Sequence, residues 1–286
     1  MLVGKKHQLE NVISNKLFVD AWKEEYIENS ESGEMDLVEK YIGEVALEEV
    51  SEQKYLGFVI SSSGNNLANI KAMEKKSIGV IRTIMNKLES LKLRQYYFES
   101  AVIFMNAILR SSILYGGECY YNLTESELRR LERIEENFLR KVLNTGRGCP
   151  IVQIYLEFGQ WPARFELQKM RCLFLKLILK QDEQSMVYKF FHLQLNQPVK
   201  GDWVSTCLGD LKKLKIFETL EEIEIMSEYK FSQLLKRRIK ENALEYSHLR
   251  RGSKGQGIKY SRLEMSEYLS PHITELNVEE KRNYLK

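Results

Sequence analysis

Two classes of side chain in this sequence have types suited to chemistry: carboxylates that could hold metal ions, and cations that could hold phosphates. Two-metal phosphoryl transfer needs carboxylates that fix two cations about 4 Å apart across the reacting phosphate. The chain has five aspartates, Asp20, Asp36, Asp182, Asp202 and Asp210, and no two are adjacent. The neighbouring glutamates Glu48-Glu49 and Glu279-Glu280 read as solvated faces in a glutamate-rich chain. The glycine-rich stretches Gly146-Arg147-Gly148 and Gly252 to Gly257 do not join a strand to a helix, and the second lacks a Lys-Ser or Lys-Thr at phosphate-loop spacing. Cys119, Cys149, Cys172 and Cys207 lie far apart, as do His7, His192, His248 and His272. No catalytic group, metal site or cofactor is expected from these patterns.

The cations carry the only plausible chemistry, and it is electrostatic. The net charge is +3, unevenly spread. Residues 1–60 hold 6 Lys against 13 Asp or Glu, while residues 61–286 hold 37 basic and 27 acidic side chains. A basic surface over the C-terminal part would meet polyanions; a solvated surface with chance asymmetry is the plain alternative. Residues 228–262 hold ten Lys or Arg and three Glu, centred on Lys236-Arg237-Arg238-Ile239-Lys240, with Tyr229, Phe231, Tyr246 and Tyr260 interleaved. Cations neutralise phosphates and aromatic rings can stack bases. The aromatic residues fit core anchors equally well. Arg250, Arg251 and Lys254 belong to a basic, glycine-rich segment, 250–257, that reads as a loop.

These side chains must be positioned by elements that the pattern marks as helices. Four prolines in 286 residues leave room for long ones. Two short β-rich runs, 41–47 and Lys54 to Ile60, read as strands, with Leu2-Val3 a stump of a third, and 7–36 as an acidic helix or insertion. From Asn66, a candidate cap, Leu67, Ile70, Met73, Ser77, Ile81, Ile84, Leu88 and Leu91 form one helical stripe, with Lys71, Lys75 and Arg82 off it and Lys76 near its border. Residues 94–109 are apolar nearly all round and read as the central helix of a bundle. Thr124-Glu125-Ser126-Glu127 is a capping box for a helix stopping near Asn144-Thr145-Gly146, with Gly146 as the left-handed cap. Pro162 opens another helix, and Asn196 to Gly201 is the best internal boundary. No apolar stretch is long enough for a membrane span or a signal peptide, so an intracellular protein with reduced thiols is expected.

Several landmarks then fall in a familiar order. Ile42-Gly43-Glu44 and Val50 precede Lys54-Tyr55-Leu56-Gly57; Asn69-Ile70-Lys71 opens a long helix; Leu114-Tyr115-Gly116-Gly117-Glu118 ends an apolar one; Leu131-Glu132 and Phe138-Leu139-Arg140 follow. This resembles the junction of palm and thumb in non-LTR (LINE-type) retrotransposon reverse transcriptases, over roughly residues 40–180. The resemblance implies that Tyr55, Leu56 and Gly57 match the primer grip, where a missing Cβ lets a nucleic-acid backbone approach; a glycine bulge in a strand is the alternative. It implies that Lys71, Lys75, Lys76 and Arg82 face template–primer phosphates. The family's catalytic Asp-Asp motif and its Cys/His knuckle have no counterpart here, so the chain is expected to be a non-catalytic thumb and linker portion without its palm.

The resulting expectation is a mainly α protein: residues 1–64 a palm-edge β-hairpin with an acidic insertion, 65–195 a thumb-like helical bundle, 196–286 a basic helical extension. RNA or an RNA–DNA hybrid is the expected partner. A helical protein-interaction or structural module is the alternative.

Overall fold

The computed structural model describes residues 41–42, 45–46, 50–90, 96–146 and 148–252, with the backbone alone for 41–46 and 248–252. The Leu2-Val3 stump, the 7–36 segment, Lys254 and Tyr260 lie outside the described residues, as do the side chains of Arg250 and Arg251. The fold is mainly helical with a small N-terminal antiparallel β part, as the sequence pattern implied. It divides into two compact units, residues 1–72 and 73–286.

In the first unit, each run expected to be a strand is instead a hairpin. Strand β1 (Tyr41–Ile42) pairs with β2 (Val45–Ala46), and β3 (Glu52–Tyr55) pairs with β4 (Phe58–Ser61) in the register Glu52↔Ser61 to Tyr55↔Phe58. Helix α1 (Leu67–Ser90) follows and continues into the second unit. Asn66 precedes the helix and its carbonyl accepts the Ile70 N–H at 3.0 Å, while Asn65 Oδ1 accepts the Leu67 N–H at 3.1 Å. The stripe Ile70, Met73, Ser77, Ile81, Ile84 and Leu88 is buried, as its spacing requires.

The second unit begins with the rest of α1 and continues with α2 (Tyr97–Phe104). The next turn, Met105–Arg110, is π-helical and returns to α geometry over Ser111–Ile113. A π turn aligns residues five apart, and it buries both Met105 and Arg110. Helix α3 (Glu125–Leu143) starts at the expected capping box: Thr124 Oγ1 accepts the Glu127 N–H at 3.2 Å, and Glu127 accepts the Thr124 N–H at 2.8 Å. It stops on Asn144, whose φ of 50° makes Asn144 and not Gly146 the left-handed cap. Helices α4 (Ile151–Glu157), α5 (Ala163–Leu179), α6 (Met186–Asn196), α7 (Trp203–Lys213), α8 (Leu220–Ile225) and α9 (Glu228–Gly252) complete the order. The segment expected to be a loop from Arg250 is helical through Gly252.

The central helix is α5, not the 94–109 segment. Helices α3, α6, α7, α8 and α9 all pack on it, whereas Ile103 and Ile108 of the earlier segment face solvent. Leu175, Ile178 and Leu179 of α5 share one apolar core with Phe191 of α6, Val204, Cys207 and Leu211 of α7, Ile223 of α8, and Phe231, Leu235 and Ile239 of α9. The loop 197–201 therefore lies inside one packing unit and does not separate two domains. Each such large side chain contributes about 1.5–3 kcal/mol on full burial.

Charged side chains sit among these helices and fix their order. Arg110 Nε donates to Glu135 Oε1 on α3 at 2.8 Å, Nη1 to Asn106 at 2.9 Å and to Gln160 at 3.0 Å, and Nη2 to the Trp161 carbonyl at 2.5 Å. The Tyr155 hydroxyl of α4 donates to the other Glu135 oxygen at 3.0 Å. Burial opposes the Arg110 charge, but Glu135 and Glu166 outweigh it and raise its pKa. Burial also pushes the Glu135 carboxyl above its ordinary range, and Arg110 and Tyr155 pull it back only in part. Arg171 of α5 pairs with Asp210 of α7 at 2.6 Å and donates to the Tyr120 carbonyl at 3.1 Å. Lys176 of α5 donates to the Ile223 carbonyl at 2.5 Å and to that of Met226, satisfying the end of α8.

Replacing Arg110 by Met leaves the Glu135 carboxylate buried without a counter-charge, at an expected cost of about 3–5 kcal/mol. The carboxyl's folded pKa then rises further above its ordinary value of about 4.3. Stability of the variant is greatest below that ordinary value and is lost as pH rises through the raised one. Urea unfolding across pH checks this, and Arg110→Met combined with Glu135→Leu restores most of the loss. A deficit independent of pH would refute the assignment of the cost to Glu135.

Candidate nucleic-acid interface

Of the three expected grip residues, Tyr55 ends strand β3, while Leu56 and Gly57 lie beyond it. Leu56 has φ 46° and Gly57 φ 92°, so the two form the tight turn that joins β3 to β4. Positive φ at both central residues marks a type I′ turn, whose twist suits the paired strands. Gly57 is thus required by the backbone itself, whatever approaches it. Leu56 is different: a left-handed leucine costs about 1–2 kcal/mol, and its side chain is 72% exposed. Neither folding nor burial accounts for an exposed leucine there. The Val59 N–H donates to Asn69 Oδ1 of α1 at 2.9 Å, which anchors β4 to the first turn of that helix.

Helix α1 carries the cations expected of it. Lys71, Lys75, Lys76 and Arg82 are all exposed. Lys71, Lys75 and Arg82 fall on one face by their spacing, with the exposed Ile78 among them. Lys76 lies on the other flank with Lys87. No ion pair reaches any of these five among the described residues. Glu74 lies on the same helix but is engaged by Arg130 of α3 at 2.8 Å. From residue 75 to 87 there are four cations and no acid.

The basic cluster of α9 divides. Lys236 and Arg237 are exposed, while Arg238 and Lys240 are half-buried. Arg238 pairs with Glu241 at 3.0 Å. The interleaved aromatics serve mostly as anchors, not as stacking platforms. Phe231 is fully buried beneath Lys176, and Tyr246 packs edge-on against Phe165 under the Arg164 guanidinium, 4.8 Å from its ring centre. Burial and the nearby Glu132 push the Tyr246 hydroxyl up to about 12. Tyr229 alone of the described three is open to solvent. The reason is the stripe Phe231, Leu235, Ile239 and Ala243, which turns that side of α9 into the core.

Other cations of the sequence are spent on structure. Arg164 joins Glu132 and, at 2.8 Å, Glu125. Arg140 donates to the Gly146 and Cys149 carbonyls at 2.7 and 2.9 Å. The three described aspartates are similarly employed. Asp202 caps α7 by accepting the Ser205 N–H at 2.6 Å, Asp210 holds Arg171, and Asp182 accepts the Gln184 N–H at 2.7 Å. Among the described residues, no three His, Cys, Asp or Glu side chains gather as metal ligands, and no helix is long and apolar enough to cross a membrane.

Comparison with known protein families, curated proteins and solved structures finds no match to this chain.

Leu56→Asn places an Asn-Gly pair in a turn that favours it. Amide exchange of the β3–β4 ladder is expected to slow about fivefold, the equivalent of about 1 kcal/mol of relieved strain. Faster exchange in that variant would show that Leu56 supports the hairpin.

Proposed function

We propose that this chain is a non-catalytic nucleic-acid-binding module, a thumb and linker portion of a LINE-type RNA-directed DNA polymerase that grips RNA or an RNA–DNA hybrid through its phosphates. One observation carries the reading: α1 presents Lys71, Lys75 and Arg82 on one face, with no ion-pair partner among the described residues, while the nearest acid on the helix, Glu74, is held by Arg130. An unneutralised row of cations on a rigid helix suits a regularly spaced phosphate backbone. The exposed Leu56 at the hairpin tip supplies a second contact, an apolar wedge held at a conformational cost that folding alone does not need. Lys236 and Arg237 of α9 are further exposed cations of the second unit. The carboxylates for polymerisation would belong to a palm elsewhere in the polymerase.

A second reading, a helical protein-interaction module, is favoured by the exposed apolar residues Ile103, Ile108 and Ile225.

Binding to an RNA–DNA hybrid should fall steeply with salt. Changing Lys71, Lys75 and Arg82 together to Gln should reduce the slope of log affinity against log salt by about 2–3, at about 0.7–0.9 per lost phosphate contact. Changing Lys236, Arg237, Arg238 and Lys240 to Gln should weaken binding without unfolding the chain. Fluorescence anisotropy with a labelled hybrid measures both. Affinity that is the same at low and high salt would sink the proposal, and an unaffected α9 variant would remove that helix from the interface.

A further inference from the structure

The flank of α1 away from Lys71, Lys75 and Arg82 forms one wall of a groove of about 310 Å³. Gly79, Val80, Thr83 and Ile84 line that wall, and Phe104 and Ile108 line the other. The lining is apolar apart from the Thr83 hydroxyl, which already donates to the Gly79 carbonyl at 3.0 Å, and the Lys87 side chain at the edge. Ile108 is 43% exposed at its edge, and Ile103 beside it is 62% exposed. Gly79 has nothing within 4 Å of where a Cβ would stand. A glycine inside a helix is less favourable than alanine, and here it leaves the groove open to an incoming side chain. A base or sugar edge would leave its polar atoms unmatched in such a groove, whereas large aliphatic or aromatic side chains would fit it.

The same unit carries a surface of opposite character. At the junction of α8 and α9, Ile225 is 84% exposed and Tyr229 is 74% exposed, four residues apart. Residues 217–230 hold five glutamates and one lysine. Glu221, one turn before Ile225, and Glu224 are exposed beside it, and Glu228 next to Tyr229 pairs with Lys180 at 3.0 Å. The groove has the reverse rim, Lys76 and Lys87, within a stretch holding four cations and no acid.

We propose that copies of this chain associate head to tail, the acidic apolar corner at Ile225 and Tyr229 of one copy seating in the basic apolar groove of the next. Both the apolar contact and the charge are complementary only in this pairing. Groove against groove would set Lys76 and Lys87 against their own copies, and corner against corner would oppose glutamates. The contact is therefore heterologous, and it propagates into a ring or filament instead of closing as a two-fold dimer. The nucleic-acid reading does not depend on it, since Lys71, Lys75 and Arg82 lie on the other flank of α1.

Sedimentation velocity on the nuclease-treated full chain tests this. The wild-type mass should rise with protein concentration and fall with added salt. Ile108→Glu spoils the groove and Ile225→Lys spoils the corner, and both side chains are exposed, so each variant should fold and sediment as a monomer. An equimolar mixture of the two has one intact groove and one intact corner, and it should form a dimer of twice the monomer mass and nothing larger. A wild type that stays monomeric, a variant that associates like the wild type, or a mixture that stays monomeric would each overturn the proposal. Capture by an unrelated acidic amphipathic peptide with a monomeric wild type would likewise assign the groove to another protein.

Discussion

The ion pair between Arg110 and Glu135 is the constraint on which the second unit depends. Its guanidinium reaches one partner within its own π turn, one on α3 and two in the stretch that leads into α5. The carboxylate in turn holds the Tyr155 hydroxyl of α4. A buried charge has few arrangements that satisfy all its hydrogen bonds, and each alternative leaves a costly unpaired group. Arg110 is the last residue of the π turn. That turn aligns Arg110 with Met105 on the buried side and turns Ile108 outward. An unusual helical turn, a buried arginine and an exposed apolar side chain of the groove thus occur together within Met105–Arg110.

The described cations include two populations that composition does not distinguish. Arg110, Arg164, Arg171 and Lys176 are held by carboxylates and carbonyls in or near the core. Lys71, Lys75, Lys76 and Arg82 stand in solvent on α1. Only the second population can bind a polyanion without first giving up an internal partner. Basic composition alone therefore overstates the surface open to nucleic acid, and the proposed interface rests on particular unpaired side chains instead of net charge.

Local features were the legible ones. Thr124 and Glu127 are three residues apart, and their mutual hydrogen bonds follow from that spacing. The α1 stripe follows from helical periodicity, and the exposure of its off-stripe cations follows in turn. The two hairpins were not legible as such, because strands of two to four residues are too short to display alternation. A leucine at the first turn position, in place of asparagine or aspartate, further hid the turn before Gly57. Phe231 and Tyr246 could not be assigned to core or surface from their interleaving with cations, since α9 buries one face and solvates the other.

The sequence by itself determined the mainly helical class, the position of α1, the start of α3 and the charge each segment carries. All of these depend on neighbours within a few residues. The tertiary structure decided which helix is central, that the loop 197–201 lies inside one core, and which cations remain free. Those outcomes depend on partners far apart in the chain: Glu135 lies 25 residues from Arg110, the Trp161 carbonyl 51, and Asp210 lies 39 from Arg171. Hydrogen bonds and short-range ion pairs form only where the packing of distant helices brings donors and acceptors within about 3 Å, a condition that spacing along the chain does not encode.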